Sequence, residues 1–146
     1  MLNTTIKVYI KQVTAACPEI KSIWLIGSRA NGTAAEESDW DFIAFGNAET
    51  YERLQLATEL HRADVDFMVL TNGDEFRTAW DPDEKGGSLS EWQWTETSEF
   101  SGHYMQTKDR PGNSNYSDCT IKNAFRVWPS VTLLEHPTAT NWGSDC

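Results

Sequence analysis

The sequence predicts an α/β (α+β) chain, a mixed sheet with helices packed on it and a β-rich C-terminal extension. Three observations carry that expectation. Apolar residues near the start recur at spacings of three and four, the period of a helix with one buried face. Three short, bulky apolar runs follow, each ended by a glycine or a turn pair, which is how buried strands read. Aromatic residues in the second half alternate with Ser, Thr, Gln and Glu, the period-two pattern of half-buried strands. At 146 residues the chain is expected to form one domain over 1–146, large enough to bury a core without disulfide or metal staples.

Ile6, Ile10, Val13 and Cys17 predict a helix over 3–16, with Asn3 or Thr4 as its cap and Pro18 just past its end. Residues 22–26 form a strand closed by Gly27. Residues 39–45 begin polar and turn apolar before Gly46, giving a second strand. Asn47 can cap a second helix, on which Tyr51, Leu54, Ala57 and Leu60 share a face. A third strand, 64–70, is closed by the turn pair Asn72-Gly73. Residues 74–80 suit a helical turn or two, and Asp81-Pro82-Asp83 and Gly86-Gly87 are loop signals. Trp92, Trp94 and Phe100 stand at strand-like spacing. Residues 108–115 are a loop by composition, and 124–128 and 131–134 are strand candidates split by Pro129. The aromatic residues, Tyr104 and Phe125 included, are expected in the core or half-buried in the sheet. Residues 1–73 read as a core unit and 74–146 as an extension of it.

Cys17, Cys119 and Cys146 have no zinc-type spacing, and neither do His61, His103 and His136. The cysteines read as reduced thiols of a cytoplasmic protein. No basic region followed by an apolar run opens the sequence, and the longest apolar stretches, such as 23–26, fall far short of a membrane span. The net charge is −10, and acid exceeds base in both halves: 10 Asp and Glu against 6 Lys and Arg over 1–73, and 12 against 6 over 74–146. A nucleic-acid binder neutralises phosphates with clustered Lys and Arg, so nucleic acid is a disfavoured partner.

The chemistry is concentrated in two stretches. In the first, a strand ends in Gly27-Ser28, and Asp39-Trp40-Asp41 then opens the next strand. In the second, Asp66 sits inside the apolar run of the third strand. Residues two apart in a strand point to the same face. Asp39 and Asp41 can therefore share one site while Trp40 and Phe42 pack behind them. Asp66, or its neighbour Asp64 on the same face, can reach that site from the third strand. A carboxylate inside an apolar run is costly unless a partner or metal compensates it. Magnesium takes hard oxygen ligands, and a pair of ions about 3.5–4 Å apart can clamp the attacking and leaving oxygens of an in-line displacement at phosphorus. Gly27 lets the backbone approach phosphate closely. Ser28 adds a hydroxyl, and a helix starting there would aim free N–H groups at a triphosphate. Arg29 could add positive charge. Bound divalent metal offsets acidic charge, so an acidic chain can still hold a nucleoside triphosphate.

In order and spacing, Gly27-Ser28-Arg29-Ala30-Asn31-Gly32, Ser38-Asp39-Trp40-Asp41 and Val65-Asp66-Phe67-Met68-Val69 resemble the DNA polymerase beta-like nucleotidyltransferase superfamily, and within it the minimal nucleotidyltransferases. The resemblance covers about residues 20–70. It implies a nucleotidyltransferase-like sheet. It also implies Asp39, Asp41 and Asp66 as catalytic metal ligands, two Mg²⁺ ions, and Gly27 and Ser28 as the triphosphate cradle, with Arg29 beside them. The implied reaction moves a nucleoside monophosphate, AMP from ATP, to a hydroxyl. Its relatives suggest two acceptors, a partner protein or an aminoglycoside-like small molecule. A core unit this small encloses both substrates poorly, so the second half, a neighbouring subunit or the partner should supply the acceptor wall. The alternative is a non-catalytic binding module that keeps the fold and docks a partner protein.

Overall fold

The computed structural model describes residues 2–80, 86–107 and 119–129. The chain opens with helix α1, Thr4–Ala16, and the Asn3 side chain caps it by accepting the Ile6 N–H at 2.8 Å. Strand β1 (Ser22–Ile26) runs into a five-residue helix, α2 (Gly27–Asn31). Strand β2 (Trp40–Phe45) leads to α3 (Ala48–Leu56), started by a reciprocal capping box between Asn47 and Thr50. α3 stops earlier than its apolar pattern suggests, and Thr58–Leu60 is a separate 3₁₀ turn. Strand β3 (Val65–Leu70) completes the expected order. The second half adds β4 (Glu75–Thr78), β5 (Gly86–Ser88), α4 (Leu89–Trp92), β6 (Thr95–Glu96), β7 (Ser101–Thr107) and β8 (Cys119–Trp128). No helix among the described residues is long and apolar enough to cross a membrane.

All eight strands belong to one mixed sheet in the order β5-β4-β3-β2-β1-β8-β7-β6. Neighbours are antiparallel except β2 and β3, whose connection through α3 makes them parallel. Alternation divides the side chains between two cores. Ile23, Leu25, Phe42, Ala44, Phe67 and Val69 pack against Ile6, Ile10, Val13 and Leu54 of the helices. The residues between them, Trp24, Ile26, Ile43, Met68 and Leu70, face the other way and meet Phe76, Tyr104 and Ala124 of the second half.

Trp92 shows how strongly the sheet curls over this second face. Its ring stands 4.9 Å from Phe76 on β4 and 4.9 Å from Tyr104 on β7. Those strands are five positions apart in the sheet. In a flat sheet they would lie roughly 24 Å apart at the usual strand spacing. Twist and coiling bring the two wings together, and α4 closes the gap between them.

Three expectations for the second half are corrected. Residues 74–80 form no helical turn. Asn72 Oδ1 accepts the N–H groups of Asp74 and Glu75, and Gly73 takes φ +90°, so the chain doubles back on β3. In the returning strand Phe76 and Thr78 point inward, and Glu75 and Arg77 outward. Gly86 and Gly87, expected in a loop, form β5. A side chain at Gly87 would press on the Phe76 ring, so glycine is what allows this edge to close. Trp92 and Trp94 do not share a strand. Ser88 caps α4 by accepting the Glu91 N–H, Trp92 ends that helix, and Gln93 turns the chain at φ 52°. Strand β8 contains the predicted segment 124–128. The expected loop at 108–115 and strand at 131–134 lie outside the described residues.

Candidate active site

The sheet register places the carboxylates. Asp41 and Asp66 are direct partners on the parallel strands β2 and β3. On the other side of β2, Asp41 is the partner of Ile26, the last residue of β1. Gly27 therefore leaves the sheet directly beside Asp41. It does so at φ +75°, and a side-chain carbon there would overlap Asp41 Oδ2. Two independent constraints thus require glycine at this position: the left-handed backbone and the carboxylate packed against it.

Gly27, Ser28, Asp39, Asp41 and Asp66 line one cleft of about 760 Å³, within the ~300–1,000 Å³ range of small-molecule sites. Asp39 is exposed, one residue before β2, and Asp41 and Asp66 are half-buried. The second half adds Gly86, Trp92, Tyr104 and Lys122 to the lining of this cleft. Tyr104 is 1% exposed, and its hydroxyl accepts the Gly27 N–H at 3.0 Å. Burial pushes that hydroxyl's pKa up, the Gly27 hydrogen bond works against this, and the charge of Asp41 adds to it.

Arg29 has a different place from the expected one. Its guanidinium donates to the carbonyls of Glu36 and Ser38 and lies 4.3 Å from the centre of the Trp40 ring. It braces the loop that delivers Asp39 and is not among the cleft residues. Asp64 and Asp66 also differ in placement. Asp64 holds Arg62 in a bidentate pair at 2.8 and 2.7 Å, which pulls its pKa down. It does not line the cleft, and Asp66 does.

The donor chemistry of the cleft fits divalent magnesium, with hard carboxylate oxygens on adjacent strands and a glycine cradle keeping Asp41 close to the β1 turn. Among the described residues the three carboxylates share the cleft without closing into a compact three-ligand group. Three residues of the site carried no functional expectation from sequence. Lys122 precedes the predicted strand 124–128. Tyr104 was placed in the core by its type. Asn31, inside the Arg-Ala-x-Gly stretch, gives no sign by itself that its amide reaches β8.

Comparison with known proteins matches residues 8–80 to the family described as polymerase beta, nucleotidyltransferase. That segment holds the Gly27-Ser28 turn and all three carboxylates. Among solved structures, a provisionally assigned nucleotidyltransferase from Sulfolobus solfataricus is similar at 24% identity, with a TM-score of 0.39, over 47% of this chain. The chain spans 65% of that protein's length. No curated protein matches the chain.

Proposed function

The chain belongs to the polymerase beta nucleotidyltransferase family, and from that premise we propose that it transfers AMP from ATP to a hydroxyl of a protein or small-molecule acceptor, with magnesium. One observation carries this reading: Asp41 and Asp66 stand in register on the cleft face of adjacent strands, with Asp39 on the same cleft and the Gly27-Ser28 turn beside them.

In this reading Asp39, Asp41 and Asp66 would hold two Mg²⁺ ions, which would supply charge neutralisation at the phosphate and a more acidic acceptor hydroxyl. Gly27 and Ser28 present backbone and hydroxyl to the triphosphate. Asp66 orients the acceptor hydroxyl and takes its proton. The acceptor oxygen forms a bond to the α-phosphorus, the bond from that phosphorus to the bridging oxygen breaks, and pyrophosphate leaves with the electron pair. Trp92 and Tyr104 of the second half line the same cleft, which supports a part for that half in enclosing substrate.

The test is transfer of label from α-labelled ATP, with magnesium, to a panel of aminoglycosides and to proteins that co-purify with the chain. Label on one acceptor, absent with Asp39→Asn/Asp41→Asn, supports the reading and names the acceptor class. A second reading is a binding module that docks a partner without chemistry. Control of a partner that survives the double substitution, with no label transferred by the parent, would select it.

A further inference from the structure

We propose that Lys122 is the cation that grips the polyphosphate of the nucleoside triphosphate in this cleft. The inference rests on the nucleotidyltransferase reading and adds to it a substrate-binding residue from the second half of the chain, outside the matched family segment.

The placement follows from how β8 meets β1. In their antiparallel register Leu25 is opposite Phe125, so continuing the ladder would set Gly27 opposite Asn123. The backbone turns away into α2 at Gly27, and the Asn31 side chain takes over the missing pairing. Its Oδ1 accepts the Asn123 N–H at 2.7 Å, and its Nδ2 donates to the Asn123 carbonyl at 3.2 Å and to the Gly27 carbonyl at 2.8 Å. β8 is thereby held one residue past the end of β1, and the next residue is Lys122. On its other side Lys122 is the partner of Tyr104, whose hydroxyl is tied to the Gly27 N–H. Two separate ties to the β1–α2 turn thus bracket Lys122, and it lines the same cleft as the carboxylates.

Charge gives this placement its meaning. Metal ions held by the carboxylates would neutralise only part of a triphosphate, and the remaining phosphate oxygens need a cation. Arg29, the obvious candidate in sequence, is committed to the carbonyls of Glu36 and Ser38. Among the described residues Lys122 is the only Lys or Arg on the cleft wall, and it forms no ion pair with a described residue. Lysine binds phosphate as a flexible point charge, which suits a group that must also release pyrophosphate.

Calorimetric titration of ATP with magnesium into the parent, Lys122→Met and Lys122→Arg tests this. Lys122→Met keeps most of the aliphatic stem, and its fold is checked by thermal unfolding. The expected result is affinity at least about tenfold weaker in Lys122→Met and within about threefold of the parent in Lys122→Arg, where the charge remains. Parent-like binding by Lys122→Met, or an equal loss in Lys122→Arg, overturns the role of Lys122 and leaves the nucleotidyltransferase reading intact. Absence of magnesium-dependent ATP binding in the parent overturns both.

Discussion

At the scale of single residues, the site depends on exclusions as much as on contacts. Gly27 is excluded from having a side chain twice over, by φ +75° and by Asp41 Oδ2. Gly27→Ala is expected to cost roughly 1–2 kcal/mol from the backbone alone and to displace Asp41, so chemical denaturation and ATP titration should both register it. Unchanged nucleotide affinity in a folded Gly27→Ala protein would contradict the packing described. Asp64 and Asp66 separate in the same way. Asp66→Asn is expected to abolish transfer, and Asp64→Asn to leave it near the parent rate. Asp64→Asn should cost under about 1 kcal/mol, because its pair with Arg62 is only half-buried and water screens it. Arg62 holds the Asp64 carboxyl below its ordinary value of about 3.9. Its contribution is therefore full above that value and is lost as pH falls through the lowered pKa. The stability difference between parent and Asp64→Asn should be present at neutral pH and fade in acid. A difference that persisted at the acid end would remove the ion pair as its cause. Sequence spacing put Asp39, Asp41 and Asp66 in reach of one site, because period-two geometry is local. It does not separate Asp64 from Asp66, because what differs between them is the pairing of Asp64 with the Arg62 side chain.

At the scale of elements, α1, β1, β2, α3 and β3 were legible because each carries its own signal: an amphipathic period, a cap, or a bulky run ended by a turn. The elements of the second half take their conformation from what they pack on. β4 is a strand because the Asn72-Gly73 turn returns it along β3. α4 forms where Ser88 caps it and Trp92 can bridge Phe76 and Tyr104. The tie between Tyr104 and Gly27 spans 77 residues, a distance no local pattern reports. Tyr104→Phe keeps the ring stack and removes this hydrogen bond. It is expected to destabilise the chain by about 1 kcal/mol and to weaken ATP binding by loosening the β1–α2 turn. Thermal unfolding and titration of the same protein would check both effects, and loss of neither would show that the tie is incidental.

At the scale of the whole molecule, the second half covers one face of the sheet that the first half builds. Trp24, Ile26, Ile43, Met68 and Leu70 are buried largely by residues beyond 73. A fragment ending at residue 80 would expose this face and is expected to aggregate or stay unfolded. Tryptophan fluorescence, which reads rings in both cores, and far-ultraviolet circular dichroism should report one coincident transition for the full chain. Separate transitions would mean that the halves fold independently. The net charge of −10 fits this architecture, since carboxylates gather at the cleft while the cations near the motif serve structure. The central claim is that this cleft is a magnesium-dependent triphosphate site. Calorimetric titration of ATP and GTP, with and without magnesium, into the parent and Asp39→Asn/Asp41→Asn tests it most directly. The account predicts magnesium-dependent binding of ATP by the parent and its loss in the double variant. Equal binding by both proteins, or binding indifferent to magnesium, would contradict it.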